Sequence, residues 1–204
     1  ISVHDAVVKN CILINTAHDN SSVVVGGQGY FFPGPFSAVT IENNEIRGGG
    51  TGIYINGGFS YAAQGRNVTV RSNLLNGSGV NAVGDIGIYV QGVDTAIVAM
   101  NEVAYLQQTF PNYVRGIWLA DGTTNTLVER NLVHDLTYPS TFYDGAKGIV
   151  VTSNTINCNN IIRNNFIHGI KGRGRDYTGT LWYYNPVGIL AFVDQTGLSI
   201  HNNS

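Results

Sequence analysis

Two histidines carry the plainest chemical signal in this 204-residue sequence. His134 and His168 each stand three residues after an Asn that closes a matching stretch, Asn131 in one and Asn165 in the other. Equivalent positions in neighbouring repeats become neighbours in space once the repeats stack. Paired imidazoles can work as base and acid near neutral pH, or as metal ligands. Asp135 is placed to orient one of them. The run Lys171-Gly172-Arg173-Gly174-Arg175 sets three cations on one loop. Such a loop suits a carboxylate-bearing or sulfated polysaccharide better than a neutral one. With the carboxylate of an acidic sugar neutralised, a base such as His168 or Lys171 can remove the adjacent proton, which is the logic of a polysaccharide lyase or epimerase. The same residues also fit a plainer account, in which turn histidines bond the backbone and the Gly/Arg loop is merely solvated.

A second constellation offers hydrolysis. Asp121 follows Trp118 in the strand-like run Gly116-Ile117-Trp118-Leu119. A glycosidase needs a second carboxylate within about 5–10 Å, and Asp144 and Asp176 are the candidates. Tyr54, Tyr89 and Trp118 occupy one position of a repeated pattern, so they should form a file on three consecutive turns. Sugar rings have apolar faces that lie on such aromatics; equally, a loop could cover the file and make it a satellite core. Tyr143, Trp182 and Tyr184, with Arg173 and Arg175, extend the candidate binding surface into the loops.

The elements that must position these residues come from internal repetition. One pattern, apolar-x-apolar-x-x-Asn-x-apolar, recurs around Asn44, Asn73, Asn101, Asn131, Asn165 and Asn203, with Cys11 in the Asn place of a first copy. The spacings are 33, 29, 28, 30, 34 and 38 residues. A second pattern, Gly-Ile-x-apolar, starts at Gly52, Gly87, Gly116, Gly148 and Gly188, and Ser22-Val23-Val24-Val25 is a weaker copy. Each unit reads as two short strands joined by Asn and Gly turns. Alone it cannot bury its apolar face; stacked in a coil at about 4.8 Å it can. The expected fold is all-β: a single right-handed parallel β-helix over residues 1–204, of about six to seven rungs, with long loops on one edge. Those loops lengthen from 7 to 22 residues between the repeat Asn and the next Gly.

Composition agrees. Charged residues are 12% and the net charge is −2, while Gly is 26 and Asn 23. Disorder needs low hydrophobicity and high net charge. Helical bundles need abundant Glu and Lys, and only four Glu and three Lys occur. Nucleic-acid binders carry a basic excess. No apolar run approaches the roughly 18 residues of a membrane span. No nucleic-acid partner and no membrane insertion are therefore expected.

The repeats resemble those of right-handed parallel β-helix proteins of the pectate-lyase-like superfamily, over nearly the whole chain. The resemblance implies the architecture and a carbohydrate-active protein, secreted or at the cell surface, with a polysaccharide as partner. It does not specify an activity, since enzymes and surface proteins share the fold. The chain lacks an acidic cluster like the calcium site of pectate lyases, the Asp-Pro-His-Asp of alginate epimerases and the paired Asp-Asp of polygalacturonases. No cofactor is expected; bound calcium is compatible with the fold but not indicated. Two functions stay open: a lyase, epimerase or glycosidase working in a cleft beside the long loops, or a non-catalytic structural or adhesive segment of a surface protein or fibre.

Four further expectations concern the frame. The repeat Asn residues turn corners and bond one another from rung to rung. Lys9, Glu42, Arg71, Ala99, Glu129, Arg163 and His201 form an outward column of mostly alternating charge. Cys11 and Cys158 lie too many rungs apart to bond. Ile1-Ser2-Val3 aligns with the second strand of a rung, and both ends break off inside a rung; the chain then reads as an internal segment of a longer solenoid, open to end-to-end association. Asn-x-Ser/Thr sequons at Asn20, Asn67, Asn76 and Asn202 lend secretion a little support.

Overall fold

A computed structural model describes residues 3–17, 20–26, 32–58, 64–106, 113–138, 145–172 and 185–204. Three parallel sheets build the coil. The first runs Phe36–Glu42, Gly65–Arg71, Val93–Ala99, Leu127–Glu129, Ile161–Arg163 and Ser199–His201, with Val3–His4 and Val7–Lys9 both pairing to Phe36–Glu42. The second runs Ile12–Asn15, Glu45–Gly48, Leu74–Leu75, Glu102–Ala104, Leu132–His134 and Phe166–His168. The third runs Ser21–Val25, Thr51–Asn56, Ile86–Gln91, Arg115–Leu119, Lys147–Val151 and Val187–Ala191. Two sheets of six strands make six turns, close to the expected number.

Each turn therefore holds three strands where two were expected. The Asn-centred pattern is not one strand. Its apolar-x-apolar half lies in the first sheet and its x-apolar half in the second, with the corner at the Asn. The N-terminal alignment is corrected as well: Val3 and His4 pair with Phe36 and Ser37 in the first sheet, not with a Gly-Ile-x-apolar strand.

The interior is a filled apolar column. Ile41, Val70 and Val98 enter from the first sheet, Ile46, Leu75 and Val103 from the second, and Ile53, Ile88 and Ile117 from the third, all at 0% exposure. Each such side chain contributes about 1.5–3 kcal/mol on burial. The repeat glycines serve this packing and not a turn. A Cβ at Gly87 would lie 2.4 Å from Val103 Cγ1, and one at Gly116 2.5 Å from Val133 Cγ1. The third sheet passes so close to the second that only hydrogen fits.

The Asn corner works differently from the expectation. The residue in the left-handed conformation is the one before the ladder Asn: Asn43, Ser72, Met100, Arg130 and Asn164, at φ between 53° and 55°. Its variety shows that the side chain there is not what forces the bend. The ladder amide holds it instead. Asn73 Nδ2 donates to Asn101 Oδ1 at 3.0 Å and to Ile41 O at 2.9 Å, and its backbone N–H donates to Asn101 Oδ1 at 3.0 Å. The amide-to-amide bonds run without a break from Asn44 to Asn203. Cys11 supplies only its backbone N–H to Asn44 Oδ1. Cys11 and Cys158 are free thiols, as their separation requires.

The outward column of the first sheet is in the expected register: Lys9 beside Glu42, Glu42 beside Arg71, Arg71 beside Ala99, Ala99 beside Glu129, Glu129 beside Arg163 and Arg163 beside His201. Arg71 meets Glu42 at 2.8 Å and Arg163 meets Glu129 at 2.9 Å. Among the described residues, no helix is long and apolar enough to cross a membrane.

Candidate functional site

The second sheet lies just before the lengthening loops, and its alternation decides what faces out. The ladder Asn turns the chain, the residue two after it goes inward, and the residues one and three after it go outward. On consecutive turns this presents Glu102 and Ala104, Leu132 and His134, then Phe166 and His168. Ala104 pairs with His134, and His134 with His168. The sequence-based adjacency of the two histidines is therefore real: their rings stack with centroids 5.1 Å apart and planes 17° apart.

Four side groups frame the pair. Asp135 Oδ2 is 2.8 Å from His134 Nδ1, and Glu102 Oε1 is 3.4 Å from His134 Nε2. Both contacts are hydrogen bonds at once only when both ring nitrogens carry protons. Tyr105 meets the His134 ring edge-on at 5.6 Å, and Phe166 tilts against His168 at 5.0 Å. Asp135 sits at the corner after the strand, at φ 50°. One turn on, the same corner is Gly169 at φ 65°, where a Cβ would stand 2.6 Å from Asp135 Oδ1. The glycine makes room for the carboxylate.

The hydrogen bond from His134 holds the Asp135 carboxyl below its usual range; slight desolvation opposes this, and the charges of His134, His168 and Lys171 add to the lowering. Lys171 is exposed, and its backbone bridges to Thr137 beside this corner. His134, His168, Asp135 and Lys171 thus form one group, with a base, a carboxylate partner and a cation on a solvent-facing sheet. Among the described residues, no set of three or more His, Cys, Asp and Glu is arranged to hold a metal ion.

The aromatic file stands on another face, on the far side of the loops. Tyr54 pairs with Tyr89 and Tyr89 with Trp118 along the third sheet. Tyr54 and Tyr89 stack at 5.0 Å and 7°, whereas Trp118 meets Tyr89 edge-on at 5.0 Å and 83°. Each tyrosine turns a face to the other, so solvent meets ring edges there. The Arg115 guanidinium lies 3.6 Å over Trp118 and 4.0 Å over Tyr113. Among the described residues no ring contact joins this file to the histidine pair. Asp121 is exposed at the opposite corner, between the third and first sheets, where its carbonyl accepts from Gly92 N–H. Asp144, Tyr143, Arg173, Arg175, Trp182 and Tyr184, with Asp176, lie outside the described residues.

Sequence reasoning missed Glu102, Asn76, Tyr105 and Phe166. Asn76 occupies the histidines' own column two turns before His134, and its Nδ2 donates to Glu102 Oε1 at 2.8 Å. The signal was present in the repeat. Reading the second half of the Asn pattern as a strand of its own puts the positions one and three after the Asn on one face, and Glu102, Asn76 and Phe166 become visible; Tyr105, four after Asn101, shares the corner position of Asp135.

The sequence pattern of the family described as right handed beta helix region matches residues 2–204. No curated protein and no solved structure matches the chain.

Proposed function

The chain belongs to the right-handed β-helix family, and on that premise we propose that it is a carbohydrate-active protein of the cell exterior whose substrate is an acidic polysaccharide. The observation that carries this reading is the stacked His134–His168 pair, flanked by Asp135 and Lys171 on a solvent-facing sheet. Lys171 neutralises the substrate carboxylate. An imidazole nitrogen takes the proton from the carbon next to that carboxylate. The C–H electron pair becomes a carbon–carbon double bond, and the neighbouring glycosidic C–O bond breaks, its oxygen leaving with a proton from solvent or an acid group. If a proton is returned on the opposite face before that bond breaks, the same chemistry is epimerisation. Hydrolysis has less support, because Asp121 stands at another corner of the coil.

A panel of acidic and neutral glycans tests this, read by absorbance of unsaturated ends and by new reducing ends. Unsaturated product from an acidic glycan is expected, with His168→Ala losing about 100-fold or more in turnover, the usual worth of a proton-transferring group. No product from any glycan, with His168→Ala indistinguishable from the parent, would remove the reading. The second reading is a structural or adhesive segment. It is favoured by the Tyr54–Tyr89 stack, whose ring faces are spent on one another. Its partner is another copy joined end to end, and light scattering that stays monomeric over a wide concentration range counts against it.

A further inference from the structure

The two imidazoles of the pair are held in different ways. His134 is 9% exposed and faces a carboxylate at each nitrogen, Asp135 at 2.8 Å and Glu102 at 3.4 Å. Those carboxylates are themselves fixed. Asn76 Nδ2 donates to the same Glu102 oxygen at 2.8 Å, and Asp135 is seated against Gly169, whose missing Cβ would fall 2.6 Å from its Oδ1. The residue paired with His134 on the preceding strand is Ala104, whose methyl leaves the diagonal from Glu102 to His134 open. His168 is exposed, and its ring nitrogens have no hydrogen-bond partner among the described residues; its backbone carbonyl accepts from Asp135 N–H at 3.1 Å. Its ring is held by faces alone, against His134 at 5.1 Å and Phe166 at 5.0 Å.

We infer that Asn76, Glu102 and Asp135 clamp both nitrogens of His134, making its ring a fixed plate on which His168 stacks as the proton-moving imidazole. A nitrogen already engaged with a carboxylate must break that contact before it can take a proton from a ligand. His134 would have to break such a contact at either nitrogen, and His168 breaks none. Glu102 and Asn76 are then positioning residues that act through His134, and Ala104 is the space they need. The proton-moving role of His168 rests on the function proposed above; the clamp does not.

Diethyl pyrocarbonate separates the two statements. An open imidazole nitrogen attacks a carbonyl carbon of the reagent, the C–O bond to the ethyl carbonate leaving group breaks, and the ring releases its N–H proton to water. Residue-resolved mass spectrometry then gives a modification rate for each histidine. In the parent protein His168 should react about tenfold faster than His134, since only its nitrogens are open. Glu102→Ala should raise the His134 rate about fivefold, and Asn76→Ala should raise it by a smaller factor, with circular dichroism unchanged. Equal rates in the parent, or a His134 rate that neither variant moves, would overturn the clamp. Should Glu102→Ala not fold, Asn76→Ala alone decides the point. An oligouronate at saturating concentration should then protect His168 about threefold or more, as expected for a bound ligand that occupies the open nitrogen. Selective modification without that protection leaves the clamp standing and overturns the role of His168 toward an acidic saccharide.

Discussion

Two columns of this coil stack like residues on like, turn after turn, and they end in opposite states. The asparagine column is buried: Asn73, Asn101 and Asn131 are each 1% exposed. Each amide is satisfied by its own column and by a carbonyl one turn back. The histidine column follows the same register one strand later, yet its two members do not bond each other. A primary amide carries a donor and an acceptor, and here both align with the stacking direction. Imidazole nitrogens lie in the ring plane, across the stack. Their bonds must come from the side, and His134 finds two carboxylates there while His168 finds none among the described residues. A stacked column closes upon itself when its polar atoms point along the coil, and stays open to other groups when they point across it.

Breaking the closed column should have the largest effect. Asn101→Leu removes the acceptor for two donors of Asn73 and the donor to Val70 O and Asn131 Oδ1. Buried groups left unpaired cost about 1–3 kcal/mol each, so a loss of about 4 kcal/mol is expected in urea unfolding. A loss below about 1 kcal/mol would mean that the ladder is not closed in solution. Next comes Gly116→Ala, which presses a methyl against Val133, the inward residue of the strand that carries His134. Overpacking of this kind costs about 1–3 kcal/mol. The same change at Gly79, where nothing lies within 4 Å, meets no such contact. It carries only the strain of its φ of 58° and should destabilise less.

The open column is probed by pH. The Asp135 carboxyl is held below its ordinary value in the folded chain, chiefly by the His134 hydrogen bond. Its contribution is therefore complete above the unfolded-state value of about 4. It is lost as pH falls through the lower folded-state value. The gap in urea midpoint between the parent and Asp135→Asn should accordingly be present at about pH 5 and shrink in more acid solution. A gap that widens there would contradict the assigned direction. The smallest effect belongs to the outward charge column: Arg163→Ala should cost at most about 1 kcal/mol, and added salt should reduce that further.

Much of the frame was legible in the sequence because stacking repeats it. Asn44 through Asn203, the charge column and the Tyr54–Tyr89–Trp118 file each align from repeat to repeat; the first adjacency is found in the amide ladder and the other two in the register of the sheets. The pairing of His134 with His168 was legible for the same reason. The third strand per turn was not, because the strands Leu132–His134 and Phe166–His168 are three residues long and show only one inward apolar residue each. With that strand unseen, Glu102 and Asn76 had no face to share with the histidines. The repeat glycines were read as corner residues for a related reason, since nothing in the sequence says how closely one sheet passes another.

By itself the sequence determined the repeat: which residues stack on which, that the chain is an all-β coil, and that two histidines must be neighbours. Periodicity is a one-dimensional property, and a solenoid carries it into space almost unchanged. Only the tertiary structure decided what lies beside each column. It separated the aromatic file from the histidine pair, put Asp121 at another corner, and brought Asn76 and Glu102 to His134 across turns. Lateral contacts depend on the angle at each corner and on the depth of each strand, and those are set by core side chains packing against one another, not by the repeat.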